Sequence, residues 1–522
     1  LLVVAGETGL YAEWQTKLSI KALLYLANPS EVVNSAQTHT LVILTSFVVA
    51  GCVAGGMFYQ WLFRRMRPTF SRWWQAPVFF FLAVPVLVTG ARGGLQEIPI
   101  NQSQSYFSRH EMLNQTAVNP VFNLYISWFE NRQFRDSNPF RYMDDESAAH
   151  IVDSLFARPA RPAEPILTTS RPNVVMWILE GWSADLIESL GGEAGITPEF
   201  RKLEEEGILF REAYAGGKRS EQGLAALLSA FPPHPYTSIT VQPDKYRHLP
   251  SVVHKMNAAG YHSSFYFGGQ LIYGNIKSYI HYNDFHRIKE IYDFKLPNRQ
   301  GKLGIHDEYT LAEQLLDLSS EPVPFFSALF TLSSHSPYDQ PMEEKLPWGG
   351  NERKYINSAY YTDACLGRYF QEARKQPWYD NTLFILVADH SHNSYRNWHP
   401  NSFAYNRIPV LFYGKVIREE YRGMKIDRLV SQTDVGTTLL QMLQLPDDDF
   451  RWGRDMLNPA SPAFSYITFD YGSGIKGPEG EYVWDHSRNK AWPHQLPDSL
   501  HARYDRNAKA FLQVLFGEYL AY

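Results

Sequence analysis

Only two of the 522 residues are cysteine, Cys52 and Cys365, which excludes a disulfide framework and a cysteine-rich metal site. An excess of positive charge is also missing. The 49 Lys and Arg against 54 Asp and Glu leave a net charge of −5, without the basic footprint that nucleic acid requires. Disorder is excluded as well, because 44% of the residues are hydrophobic and only 20% charged, enough apolar material for a sizeable core. No repeat period stands out, and biased composition is confined to one short Pro-rich stretch. What the chain does have is aromatic residues, 15% of the total, a content suited to interfacial or carbohydrate-rich surroundings. It begins with Leu rather than Met and is expected to be a fragment.

Charge is distributed unevenly. From Leu41 to Phe63 (LVILTSFVVAGCVAGGMFYQWLF) no residue is charged, a run long enough to cross a bilayer. Arg64, Arg65, Arg67 and Arg72 follow, and a second apolar stretch extends from Trp73 to Gly90. The positive-inside rule puts the Arg-rich loop in the cytoplasm and everything after Arg92 outside it. A pair of buried core helices is the alternative, disfavoured by the long uncharged run and its one-sided basic flank. The opening LLVVAG reads as the tail of an earlier span. Residues 1–91 are thus expected to be a membrane region.

Residues 92–165 read as an extracytoplasmic connector, with helical patterning in NPVFNLYISWFENRQF and DDESAAHIVDSLF. It closes with ARPARPAEP, a linker of the kind found at domain boundaries. Beyond it, NVVMWIL (173–179), HSSFYF (262–267), FFSALFT (325–331), LFILVA (383–388) and IPVLFY (408–413) are short apolar runs typical of buried parallel strands. Helical patterns alternate with them in TPEFRKLEEEG, SVVHKMNAAG and DEYTLAEQLLDL. This alternation predicts one α/β domain over 166–460, its sheet covered by helices on both faces. SYITFDYGSGIKGPEGEYVWD predicts a hairpin with Gly turns, part of a C-terminal extension over 461–522.

Several polar residues stand just past those strands: Glu180 after the first, His335 after FFSALFTLSS, Asp389 and His390 after LFILVA. Open α/β sheets bind ligands at the carboxyl ends of their strands, so these stretches converge on one surface. Glu180, Asp389 and His390 together offer oxygen and nitrogen ligands to a divalent cation such as Zn²⁺ or Mn²⁺, with Mg²⁺ or Ca²⁺ also compatible. Singly, each has a more ordinary reading as a helix cap or salt-bridge partner. A nucleophile candidate lies in AGGKRSEQGLAALLSAFPP. There Gly216 and Gly217 make a turn, Lys218 and Arg219 carry positive charge, and Ser220 opens an Ala/Leu-rich helix whose N-terminus suits a phosphate. Serine at that point is also a standard helix cap. His392 and His399 read better as hydrogen-bonding groups than as ligands.

Taken in order, NVVMWILEGWS, GGKRSEQGLAAL, TLSSHSPY, LVADHS, NRIPVLFYG and SQTDVGTTLLQML resemble the sulfatase-like branch of the alkaline phosphatase superfamily. Within it they are most similar to the lipoteichoic acid synthase and periplasmic glucan phosphoglycerol transferase group, as is the connector INQSQSYFSRHEMLNQTAVNPVFNL. The resemblance covers roughly 90–460. It implies an alkaline-phosphatase-like mixed sheet sandwiched by helices and preceded by transmembrane helices, in a bacterial cytoplasmic membrane with the catalytic domain outside. It implies that Glu180, Asp389, His390 and Ser220 bind a metal, and that Ser220 is the nucleophile where relatives commonly carry Thr. His335 is implied near the substrate phosphate, Lys218 and Arg219 beside its oxygens, and Gln270 and Asn275 in the YFGGQLIYGN segment lining the pocket. The implied reaction moves a phosphoglycerol-type headgroup from a phospholipid to a glycan or glycolipid acceptor. Transfer of phosphoethanolamine, ester hydrolysis, and a lipid-binding protein on an inactive enzyme fold remain the alternatives. Ser220-Glu221-Gln222-Gly223-Leu224 lacks the Pro and Arg that formylglycine-forming sulfatases need, which argues against sulfate-ester hydrolysis by that route.

Overall fold

The computed structural model describes all residues except 15–16, 19–37, 66–71, 97, 109, 132–137, 236, 273–275, 470–471, 487 and 493–495. Arg67 and Asn275 therefore lie outside the described residues. The chain forms two compact units, Leu1–Ser137 and Asn138–Tyr522.

In the first unit the two uncharged runs become helices Thr38–Arg65 and Gln75–Arg92. Val42–Arg64 and Gln75–Arg92 are long and apolar enough to cross a membrane, and neither is buried by protein. That exposure argues against the core-helix alternative, since a soluble core helix hides its apolar surface. Pro85 lies within the second helix, and Gly93, at a φ of 87°, ends it in the left-handed conformation that glycine adopts without strain.

The second unit is built on an eight-stranded sheet: β1 (Asn173–Leu179), β2 (Ile208–Tyr214), β3 (His262–Phe267), β4 (Arg287–Lys289), β5 (Phe325–Phe330), β6 (Thr382–Ala388), β7 (Val410–Tyr413) and β8 (Lys425–Ser431). Their spatial order is β4-β3-β5-β1-β6-β7-β2-β8. Central β1 pairs in parallel with β5 and β6, and all seven of its residues are buried, as an apolar strand covered on both faces must be. β7 runs antiparallel to β6 and to β2, and β2 is parallel to β8. The sheet is therefore mixed. Because β7 alone reverses, the carboxyl ends of β1, β2, β3, β5 and β6 share one edge.

β2, β4 and β8 had no apolar signature in the sequence. β8, KIDRLVS, alternates exposed and half-buried residues over its first half, as an edge strand does. Four further strands, β9 (Ser465–Phe469), β10 (Gly472–Gly477), β11 (Gly480–Asp485) and β12 (Lys490–Ala491), form an antiparallel meander. Helix Asp498–Ala521 follows it. Helix Asp145–Leu155, from the stretch read as connector, packs along this C-terminal helix, where Gln513 bonds the Met143 carbonyl and the Asp145 side chain.

His234 helps fasten the C-terminal helix. Its ring lies 4.1 Å from that of Tyr519 and 5.4 Å from that of Phe516. Complete burial lowers its pKa from 6.5 to about 4. Between those values the unfolded chain takes a proton that folded His234 refuses, so this contribution to stability is full above pH 6.5 and is lost as pH falls toward 4. The loss should reach about 3 kcal/mol by the linkage relation. The slope of the thermal midpoint between pH 7 and pH 5 should flatten in His234→Phe.

Candidate metal and nucleophile site

The shared sheet edge explains how residues far apart in sequence meet. Glu180 leaves β1, and Gly181, with a φ of 63°, makes the turn that follows. Glycine takes this left-handed conformation without strain. The loop is pinned from three sides. The backbone N–H of Glu180 donates to Thr331 Oγ1 at 2.8 Å, Ser334 Oγ donates to its carbonyl at 2.6 Å, and the Tyr355 hydroxyl donates to the Gly181 carbonyl at 2.6 Å. Asp389 and His390 leave the adjacent β6. Gln432 Nε2 holds that strand end through the carbonyls of Ala388 at 2.7 Å and Asp389 at 2.6 Å.

Glu180, Asp389 and His390 are all buried and offer ligand atoms that lie within 4.8 Å of one another. Asp389 Oδ1 accepts the backbone N–H groups of Gly181 at 2.8 Å and His390 at 2.7 Å. Its other oxygen, Oδ2, is buried with no hydrogen-bond donor among the described residues, an arrangement that is costly unless a cation completes it. His390 Nδ1 lies 2.8 Å from the Ser391 carbonyl. That contact puts the ring proton on Nδ1 and aims the Nε2 lone pair into the cluster, as in metal-ligating histidines. Burial, and then the facing Asp389 carboxylate, push the Glu180 carboxyl well above the usual range. Two carboxylates this close hold a proton between them or share a cation. One orphaned carboxylate oxygen, one elevated carboxyl and one oriented imidazole fit a divalent ion with mixed oxygen and nitrogen ligands.

Ser220 is the first residue of helix Ser220–Ser229, and its cap is Arg219. Its hydroxyl does not cap. It donates instead to Glu180 Oε2 at 3.1 Å and stands 3.4 Å from His390 Nε2. The capping alternative thus gives way to tertiary geometry: β2 runs parallel to β6 across β7 and delivers its following helix, N-terminus first, to the same edge.

Of the two cations, Arg219 points outward, with its side chain 68% exposed and a 3.9 Å ion pair to Glu221. Lys218 reaches Asn401 and lies over the rings of Tyr405 at 5.9 Å and Phe469 at 5.5 Å. Both line a pocket of about 270 Å³ together with Gln222, His234, Thr468 and Phe469. His335 is half-buried on the loop after β5, its Nδ1 2.7 Å from the Ser336 carbonyl. It lies close enough to His392 that both His335 and His390 add to the burial that lowers the His392 pKa. His392 bonds Tyr338 at 3.1 Å and the Asn393 carbonyl at 2.8 Å. His399 receives the N–H of Asn401 at 3.1 Å. Gln270 sits at the same sheet edge after β3, two strands from β1, and no hydrogen bond among the described residues links it to Ser220.

Gly223, Gln432 and Asp307 also shape the site, although none of them is among the residues expected there from the sequence. A Cβ at Gly223 would overlap the carbonyl oxygen of Asp389. Asp307 is fully buried, and it accepts the N–H of Leu332 at 2.7 Å and the Thr362 hydroxyl at 2.6 Å, tying down the loop that carries His335. A small residue in a helix and an amide beside a strand carry no chemical signature. Only their neighbours give them one.

The class follows from this arrangement. A protein of the alkaline phosphatase superfamily from Vibrio parahaemolyticus superposes with a TM-score of 0.64 at 25% identity, over 73% of this chain and 97% of that one. The lipoteichoic acid synthase LtaP from Listeria monocytogenes shares the fold, with a TM-score of 0.57 at 16% identity over 72% of this chain and 98% of that one. The Sulfatase family model matches residues 172–445, more than half of the sequence, and the chain belongs to that family. Curated relatives include a lipoteichoic acid synthase-like protein, YvgJ, of Bacillus subtilis, 22% identical over 63% of this chain and 58% of its own length. Lipoteichoic acid synthase 1 of the same organism is 26% identical over 48% of this chain and 40% of its own length. The chain thus spans about half the length of the curated relatives it matches.

Proposed function

We propose that the protein is a membrane-anchored, metal-dependent transferase. It moves a phosphoglycerol-type headgroup from a phospholipid to a glycan or glycolipid acceptor, through a covalent intermediate on Ser220. The observation that carries this reading is the Ser220 hydroxyl, turned away from capping its own helix and held 3.1 Å from Glu180 Oε2, inside a buried Glu-Asp-His cluster. The lipoteichoic acid synthase relatives support the choice of headgroup, and the two membrane-length helices support a lipid donor.

Glu180, Asp389, His390 and the Ser220 oxygen would hold Mn²⁺ or Zn²⁺. The bound ion supplies Lewis-acid charge that lowers the hydroxyl pKa and neutralises phosphoryl oxygens. Ser220 Oγ attacks the phosphorus of the diester, and its proton passes toward Glu180 Oε2. The bond from phosphorus to the diacylglycerol oxygen breaks, and His335 gives that oxygen a proton. The N-terminus of helix Ser220–Ser229, with Lys218 and Arg219 nearby, stabilises the developing charge. The acceptor hydroxyl then attacks the phosphoserine and returns a proton to His335, and Ser220 regains its own. Gln270 and Asn275 belong to the proposed headgroup pocket. The catalytic domain of this scheme is 166–460 with its extension 461–522. It lies on the outer face of a bacterial cytoplasmic membrane, joined through the 92–165 connector to the 1–91 membrane region.

The test is headgroup release from vesicles of labelled phosphatidylglycerol or phosphatidylethanolamine, with added Mn²⁺ or Zn²⁺. Release from phosphatidylglycerol supports the proposal. Release from phosphatidylethanolamine alone would replace the donor, and release that needs no acceptor would make the protein a hydrolase. No release and no stoichiometric metal would leave the lipid-binding alternative. Chelation should abolish release and lower the thermal midpoint, because an ion bound only by the folded state adds its binding free energy to stability. Glu180→Gln should lose that metal-dependent increment.

A further inference from the structure

Two helices of the first unit turn polar residues inward and apolar residues outward. Helix Pro120–Asn131 buries Asn123 and Ser127, 7% and 8% exposed, while Tyr125 is 56% and Phe129 47% exposed. Val121, Tyr125, Trp128 and Phe129 recur at the spacing of a single helix face, and all four are exposed. Asn123 and Ser127 lie on the opposite face. The short helix Glu111–Ala117 repeats the pattern, with Met112 and Leu113 exposed and Asn114 and Gln115 buried.

Several of the buried groups pair within the unit. Asn123 accepts from Gln102 Nε2 at 2.7 Å and donates to the Leu18 carbonyl at 3.0 Å. Asn114 accepts the N–H groups of Phe107 at 3.0 Å and Ser108 at 2.9 Å. Lys17 pairs with Glu7 at 2.5 Å and donates to the Val118 carbonyl at 2.8 Å. Water-soluble proteins show the reverse arrangement, since an apolar face left in water forgoes its burial and a buried amide risks losing a partner. Polar residues turned inward beneath an apolar, aromatic helix face suit a solvent of lipid. Tyr and Trp in particular belong where headgroups meet acyl chains.

We propose that the exposed face of helix Pro120–Asn131, with Met112 and Leu113 beside it, lies in the headgroup–acyl boundary of a lipid bilayer. The inference rests on the membrane reading given above. Its occupant follows from continuity. The face belongs to the same compact unit as the two membrane-length helices, and the connecting chain folds back at once, the Ile100 N–H bonding the Arg92 carbonyl at 2.9 Å at the end of the second. The helix would then hold the start of the connector flat on the membrane.

The test uses the full chain with Cys52→Ala, reconstituted in phosphatidylcholine vesicles, carrying an environment-sensitive fluorophore at Tyr125→Cys or, separately, at Phe129→Cys. Labels at Phe58→Cys and Lys375→Cys mark a span and water. Both test labels should lose emission to lipid brominated at a shallow acyl position, while the label at position 58 responds to deep bromine and that at 375 only to aqueous iodide. Test labels that behave like position 375, with position 58 still quenched by lipid, would overturn the interfacial helix and leave the membrane reading intact. Protection from both quenchers would overturn it in favour of a protein cover, a second copy if the cysteines cross-link between chains. Loss of lipid quenching at position 58 as well would remove the membrane reading and this inference with it.

Discussion

Ser220→Ala should lower headgroup release by about 10³-fold or more, the scale on which removal of a covalent nucleophile acts. The fold should survive. The side chain is half-buried and the substitution removes one hydrogen bond, to Glu180 Oε2 at 3.1 Å, a change of about 1 kcal/mol in either direction because Ala also suits a helix. Lost activity with an unchanged thermal midpoint and retained metal would assign the hydroxyl to chemistry. Equal activity in the variant would remove the covalent mechanism, whatever the metal does. Ser220→Thr keeps the hydroxyl on a bulkier carbon and should retain part of the activity, which a purely structural role for the oxygen at this helix start would not separate from Ala.

Gly223→Ala is expected to act in the opposite sense to helix propensity. In an isolated helix the change would stabilise by about 1 kcal/mol. Here the added carbon meets the carbonyl oxygen of Asp389, which is itself held by Gln432. Either helix Ser220–Ser229 slides away or the end of β6 is pushed back, at a cost of about 1–3 kcal/mol for overpacking a filled interface. Both movements separate the Ser220 hydroxyl from Asp389 and His390. A displacement near 1 Å at reacting groups costs about 10²-fold in rate, so release should fall by that order along with metal affinity. Measuring metal binding and thermal midpoint in the same preparation separates the two: wild-type values for both would show that the helix and strand yield without disturbing the site.

Much of this site is legible in the sequence. NVVMWIL and HSSFYF match β1 and β3 residue for residue: past Asn173, β1 is a continuous apolar run of the kind a strand covered on both faces carries, whereas β3 opens with His262, Ser263 and Ser264 and is apolar only in its second half. The acid and histidine candidates stood out because they follow such strands. β2 was invisible: ILFREAY carries Arg211 and Glu212 where the strand is half-buried, and only its neighbours make it a strand. Yet β2 is the strand that delivers Ser220.

Local sequence alone shows which segments could bury apolar surface, which could cross a membrane, and which side chains could ligate a cation. Those properties belong to residue type and local spacing, and they survive in any conformation. Whether Ser220 caps its helix or faces Glu180, whether Asp389 keeps an unpaired oxygen, and whether Gly223 must lack a side chain are settled by groups dozens to hundreds of residues away. They become definite only in the folded chain. A hydroxyl, a carboxylate and a glycine take their function from what stands within about 3 Å, and that neighbourhood exists only once the sheet has assembled.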